Sequence, residues 1–374
     1  MAETMRAIRK VAPTKGLTVE MVPIPHGGDH DVLIQVEAAS CCGTDLHIWK
    51  WDSWAQGRIK PPLTLGHEFA GTVVEVGKRV ENVRVGDYVS AESHVTCGMC
   101  FQCRTGQAHL CPRTSILGVD REGAFADFVV VPEKVIWQND REKLPPEVAS
   151  LQEPFGNAVY VTMGQDITGL SIGVMGCGPI GLFSIAIAKA SGVAKIYATD
   201  VIDYRLDLAR KLQADIVFDA KSSGSEDIID ANDGAGLDLV LEMSGAPQAI
   251  NTAFEIVRNG GRVILFGIPS NPVEIDVAEK MIFKNLTVLA LNGRRIFDTW
   301  YKTRWLLESG VVDLRPLISK EITFDQINDA METLASGEAC KIIIRPDRKI
   351  SPAPSSDGRK REIDPDTRGT VVHR

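Results

Sequence analysis

Hydrophobic patterning divides the chain into two textures. Up to about residue 160, short β-branched runs alternate with Gly- and Pro-bearing turns. Val32-Leu33-Ile34-Gln35-Val36, Gly71-Thr72-Val73-Val74-Glu75-Val76 and Phe128-Val129-Val130-Val131 predict strands, with turn signals at Gly27-Gly28-Asp29 and Gly86-Asp87 between them. From about residue 170 apolar strands alternate with helical periods. Ile172–Met175 predicts a buried strand, Ile180–Ser191 a helix, Lys195–Thr199 a strand and Tyr204–Leu212 a helix. Further strands are expected at Asp215–Phe218, Leu237–Leu241 and Arg262–Phe266. Such alternation predicts a parallel sheet with right-handed crossovers. Beyond residue 295, Phe297–Ser309 reads as a helix stopped by Gly310, and Cys340–Ile344 as a closing strand that packs back on the first unit. The expected division is therefore 1–160 (mostly β), 161–294 (α/β, doubly wound), a return over 295–346, and a polar, disordered tail over 347–374.

The composition is that of a globular protein, 44% hydrophobic and 24% charged in 374 residues, enough for two cores. A net charge of −8 argues against nucleic acid as the main partner. The N-terminus carries charges at once with no apolar h-region, and no apolar run reaches the ~18 residues of a membrane span, so the expected location is cytoplasmic. In that compartment eight cysteines point to metal rather than disulfides.

Cys97, Cys100, Cys103 and Cys111 crowd into one lobe, about 94–113. Four thiolates complete a tetrahedral zinc and leave no open position, the mark of a structural site; an iron–sulfur cluster is the weaker rival. Cys42, His67 and Glu68 form a second set, three mixed ligands that leave room for water or substrate, as a catalytic zinc requires. Glu153 is a further candidate there, as ligand or as a neighbour of the ligands. Cys41 adjoins Cys42, but adjacent extended residues face opposite ways, so only one can meet the metal. Gly176-Cys177-Gly178-Pro179-Ile180-Gly181 follows a predicted strand and opens a predicted helix, the context that makes a dinucleotide fingerprint specific. Asp200 ends the next strand, where an acid accepts from the ribose hydroxyls and repels a 2′-phosphate, favouring NAD; Arg205 lies nearby.

Gly66-His67-Glu68 with Gly71 and Gly77, the four-cysteine lobe and the Gly176–Gly181 fingerprint together resemble the zinc-containing medium-chain alcohol dehydrogenases, over roughly residues 5–345. The resemblance implies a GroES-like, mostly β catalytic domain, a Rossmann domain, two zinc ions per subunit, NAD and a homotetramer. It places catalytic zinc at Cys42, His67 and Glu68, a proton relay at Thr44 and His47, and an acid tuning the metal at Glu153. Cofactor contacts carry over to Gly176, Gly178, Ile180, Gly181, Asp200, Arg205, Phe266, Gly267, Ile268, Leu291 and Asn292. Longer segments, Cys42–Ile48, Trp51–Gln56, Glu153–Val159, Asp203–Leu206, Glu242–Pro247 and Thr299–Lys302, resemble the branch that oxidises L-threonine to 2-amino-3-oxobutanoate. A polyol or vicinal diol is the alternative small-molecule substrate, and a non-catalytic nucleotide-binding protein the alternative of another class. Arg294 is a candidate for the substrate carboxylate, against pairing with a structural acid or the cofactor.

Overall fold

The computed structural model describes residues 3–346. The tail expected over 347–374 lies outside the described residues. Two sheets carry the molecule. One contains six parallel strands in the order Ile216–Asp219, Lys195–Asp200, Ser171–Met175, Leu237–Glu242, Val257–Leu265, Thr287–Ala290. In chain order this is third, second, first, fourth, fifth, sixth, the doubly wound dinucleotide arrangement. The order reverses between Ser171–Met175 and Leu237–Glu242, so the crevice beyond their carboxyl ends is where a ligand belongs. Both strands are largely apolar because both faces are covered: Ile172, Val174, Leu239 and Leu241 are fully buried in the core on one face, and Met175 and Val240 are buried in a second core on the other.

The second sheet is mixed and centres on the ten-residue strand Asp31–Ser40, paired antiparallel with Phe69–Val76 and Phe128–Pro132. The late strand Lys341–Ile344 joins it antiparallel at Ser40 and Ala39, and pairs parallel with Ile318–Ile322. The alternation of this short strand explains its composition. Ile342 and Ile344 enter the core beneath the mixed sheet, while Ile343 enters the core shared with the parallel sheet. Burying each such side chain contributes roughly 1.5–3 kcal/mol, and here the three join the two cores. The same pairing sets Lys341 beside the end of Asp31–Ser40, with the Cys41 N–H donating to the Ile342 carbonyl at 3.0 Å. Among the described residues no helix is long and apolar enough to cross a membrane.

Candidate active site

The strand Asp31–Ser40 ends immediately before Cys41 and Cys42, and Cys42 caps the helix Gly43–Lys50. Its backbone N–H donates to Asp45 Oδ2 at 2.9 Å, which fixes the first turn and the direction of its thiol. Cys41 is buried in the apolar core and burial pushes its thiol well up, while Cys42 is half-buried. Of the neighbours, only Cys42 meets His67 and Glu68, their ligand atoms lying within 4.8 Å of one another. His67 and Glu68 precede strand Phe69–Val76 and follow Gly66, whose φ is +93° and whose added Cβ would stand 2.2 Å from the Phe125 ring. Only glycine makes that turn, so the motif presents its two ligands from a fixed corner.

The charges around this cluster are incomplete. Glu68 Oε2 accepts from the Lys341 ammonium and the Ser40 hydroxyl, but Glu68 Oε1 is buried with no partner among the described residues. His67 Nδ1 and Asp45 Oδ1 are likewise buried with no hydrogen bond to any of the described residues, and stand 4.0 Å apart. Burial raises the Asp45 carboxyl to about 6 despite His67. Burial alone would depress the His67 imidazole, but Cys42 and Asp45 outweigh it and raise it well above its ordinary value. A thiolate, an imidazole and a carboxylate oxygen with no other partner are the donor set of a zinc ion, and one of the two imidazole nitrogens would remain for Asp45. The residues fit the metal.

Glu153, in helix Gln152–Met163, does not enter that trio. It stands with Glu92 and His94 in a neighbouring group whose ligand atoms also lie within 4.8 Å, and its charge acts on His67. Arg294 occupies the centre of this group. Its Nε donates to Glu92 Oε2 at 2.8 Å, its Nη2 to Glu92 Oε1, Glu153 Oε1 and the Ser93 hydroxyl, and its Nη1 to Asn157 Oδ1 at 3.3 Å. Trp300 Nε1 donates to Glu92 Oε2 at 2.9 Å. The guanidinium is already saturated by protein acids, so it has no fork free for a substrate carboxylate.

In the cysteine lobe the sulfurs of Cys97, Cys100, Cys103 and Cys111 lie within 4.8 Å of one another, four of their six separations being 3.5 to 3.9 Å. A tetrahedron with Zn–S bonds of about 2.3 Å has edges of about 3.8 Å, so the lobe fits a zinc ion. The Met99 and Cys100 N–H groups and Arg113 Nη2 point to Cys97 Sγ at 3.3–3.5 Å, and the Cys97 N–H to Cys111 Sγ at 3.5 Å. Such donors stabilise thiolate.

Thr44 lies in the first turn of the helix that Cys42 caps, 3.9 Å from its sulfur, and His47 is one turn on and exposed. The fingerprint sits at the switch point of the parallel sheet. Gly176 has φ +99°, and a Cβ on Gly181 would stand 2.0 Å from the Gly176 carbonyl oxygen. Gly178 faces open space and caps helix Pro179–Ala190 without a side chain, leaving its N–H groups to a phosphate. Asp200 Oδ2 accepts the Cys177 N–H at 2.7 Å and Oδ1 the N–H groups of Val201 and Ile202; Arg205 Nη1 is 3.7 Å from Oδ2. Ile180, Phe266, Gly267 and Leu291 are half-buried, and Ile268 and Asn292 exposed. Phe266 and Gly267 donate to the Glu242 carbonyl at the end of strand Leu237–Glu242, and Leu291 to the Leu265 carbonyl at the end of Val257–Leu265, so this group stands at the carboxyl ends of the same sheet.

Residues 28–141 match the model of the alcohol dehydrogenase GroES-like domain, and residues 179–309 that of the zinc-binding dehydrogenases. An L-threonine 3-dehydrogenase of Symbiobacterium thermophilum is 47% identical over 351 residues, 93% of this chain and 100% of the relative. The chain belongs to the zinc-binding, GroES-like alcohol dehydrogenases. Two solved members of the family superpose with TM-scores of 0.84, each over 92% of this chain and 100% of the other. They are a zinc-binding dehydrogenase of Sinorhizobium meliloti bound to NADP, 27% identical, and the 2R,3R-butanediol dehydrogenase of Bacillus subtilis, 28% identical. As a zinc-binding dehydrogenase the chain is an oxidoreductase that works with zinc and a nicotinamide cofactor, with the expected GroES-like and Rossmann-type architecture. Sequence reasoning missed the residues that hold the trio, Asp45, Ser40 and Lys341, and those that hold Arg294 and Glu153 beside it, Glu92 and Ser93. Asp45 had a local signal, three residues after a helix cap. Lys341 had none, being 273 residues from Glu68.

Proposed function

We propose that this dehydrogenase oxidises the secondary hydroxyl of L-threonine to 2-amino-3-oxobutanoate with NAD. The identity to an L-threonine 3-dehydrogenase along its whole length carries the reading. The charge beside the metal trio supports it. Glu92, Glu153 and Arg294 sum to one negative formal charge in a buried group. A surplus of that sign suits the ammonium of an amino acid, which a polyol or diol lacks.

Cys42, His67 and Glu68 would hold a catalytic zinc, and the four lobe cysteines a structural one. When bound, the catalytic zinc supplies positive charge that makes a nearby hydroxyl more acidic, and the nicotinamide accepts hydride. The chain's own part is positional. Glu153, held by Ser93 and Arg294, faces the metal group and offers negative charge to the substrate ammonium. Thr44 passes the hydroxyl proton on, and His47 exchanges it with solvent. Gly176, Gly178 and Gly181 admit the pyrophosphate, and Asp200 favours NAD by repelling a 2′-phosphate. Ile180, Arg205, Phe266, Gly267, Ile268, Leu291 and Asn292 would line the rest of the cofactor cleft. Domains of 1–160 with 295–346, and 161–294, and a cytoplasmic location complete the reading. The open edge strand Thr287–Ala290, with exposed Leu289, Ile282 and Phe283 near it, supports self-association and the expected homotetramer.

Steady-state assays with L-threonine, sorbitol and 2,3-butanediol, each with NAD and NADP, test the proposal. Threonine with NAD should lead by about a hundredfold in kcat/KM. A diol leading by that factor would replace the substrate assignment.

A further inference from the structure

The segment after helix Gly43–Lys50 belongs to neither zinc site nor the nucleotide crevice, yet it grips a relay residue. Trp51 ends the helix in the left-handed region, φ 57°, and turns the chain so that Asp52 lies beneath His47. Asp52 Oδ1 caps helix Ser53–Arg58 by accepting the Ala55 N–H at 3.1 Å. Its other oxygen, Oδ2, is hydrogen-bonded to His47 Nδ1. The Trp54 ring stands 6.0 Å from the imidazole. An ionised carboxylate can only accept, so Nδ1 carries the proton and Nε2 is the nitrogen left to act as a base.

We propose that Asp52 is a positioning residue of the proton relay: it holds His47 as the Nδ1–H tautomer, keeps Nε2 bare to receive the substrate's proton, and stabilises the imidazolium that forms. This rests on the relay through Thr44 and His47 read above. The substrate O–H bond breaks, and Thr44 gives up its hydroxyl proton as it receives the substrate's. An N–H bond forms at His47 Nε2, and that proton then leaves to water. The electron pair of the carbinol C–H bond leaves as hydride to the nicotinamide, so the relay carries a proton only.

Lys50, exposed in the last turn of the same helix, is the nearest cation to His47 along the chain; the other charges near this helix are engaged elsewhere. Asp45 is buried towards His67, Lys10 Nζ donates to the carbonyls of Thr14, Gly16 and Trp49, and Lys15 pairs with Glu332 on the packed helix Ile327–Ser336. Burial pushes the Asp52 carboxyl up, but the hydrogen bonds from His47 and the Ala55 N–H outweigh it and hold it below its ordinary range.

Asp52→Asn isolates the charge, because Asn caps a helix as well as Asp. In the full-length, zinc- and NAD-loaded enzyme, carbethoxylation of His47 by diethyl pyrocarbonate can be followed by mass spectrometry against pH. In the variant the midpoint should fall, because the negative charge that favours the imidazolium is gone. Asp52→Glu should move it back. The acidic limb of the kcat–pH profile should shift the same way, and Asp52→Asn should add nothing in a His47→Gln background. An unmoved midpoint, or an equal slowing in both backgrounds, overturns the proposal while leaving the relay standing. Full turnover by His47→Gln alone removes the relay and Asp52's part with it.

Discussion

Replacing Arg294 with Met tests the polar group beside the metal trio. The guanidinium side chain is 2% exposed, and its partners Glu92 and Glu153 are 0% and 6% exposed. Removing one partner of a buried pair strands the other charge, at a cost of about 3–5 kcal/mol, against 0–1 kcal/mol for a surface pair. Some donors survive the substitution. Trp300 Nε1 and the His94 N–H still reach Glu92, and the Ser93 hydroxyl still reaches Glu153. The lower end, about 3 kcal/mol, is therefore expected, or a fall in melting temperature of about 4 °C, since an unfolding entropy of about 2.1 cal/mol/K per residue over 374 residues gives about 1.3 °C per kcal/mol. The pH dependence has a definite sign. Burial pushes the Glu92 carboxyl up, but Arg294 and His94 outweigh it and hold it far below its ordinary value. A depressed carboxylate stabilises the fold above its unfolded pKa, about 4.3, and that contribution fades as the pH falls below it. The gap between wild type and variant should be widest near neutrality and close below about pH 4. Urea midpoints at constant m-value, taken across that range, measure it. A gap under about 1 kcal/mol at pH 7, or one that does not change with pH, would refute the reasoning.

Lys341→Met should destabilise the zinc-free protein by about 3–5 kcal/mol, and the zinc-loaded protein by less, because the metal supplies a second cation to Glu68; thermal melts with and without chelator compare them. Cys97→Ser should lower bound zinc from two ions per chain to one and reduce the melting temperature, read by elemental analysis and calorimetry. Gly181→Ala should weaken NAD binding by at least about tenfold, 1.4 kcal/mol, because its Cβ would meet the Gly176 carbonyl oxygen at 2.0 Å; fluorescence titration of NADH gives the value.

The parallel sheet was legible because its strands are apolar on both faces and its helices are periodic. Ser171–Met175, Lys195–Asp200 and Pro179–Ala190 stand within a residue of their expected bounds. Strand Thr287–Ala290 escaped because it is four residues long and largely exposed, so it lacks the burial that leaves a pattern. The ligand pairs were legible for a local reason: His67 and Glu68 are adjacent, and the lobe cysteines share one loop. Their supports were not. Lys341 reaches Glu68, and Arg294 reaches Glu92, only through tertiary pairing across 273 and 202 residues. Of the two roles open to Arg294, substrate carboxylate or structural acid, the structure shows the second, and the sequence alone could not display the two acids it pairs with.

Anomalous scattering at the zinc edge, from crystals of the enzyme purified without chelator, tests the central claim most directly. Two peaks per chain are expected, one inside the cysteine tetrahedron and one within bonding distance of Cys42, His67 and Glu68, with the second lost in Cys42→Ala. A fully active enzyme showing only the lobe peak would contradict a zinc-assisted oxidation at that trio.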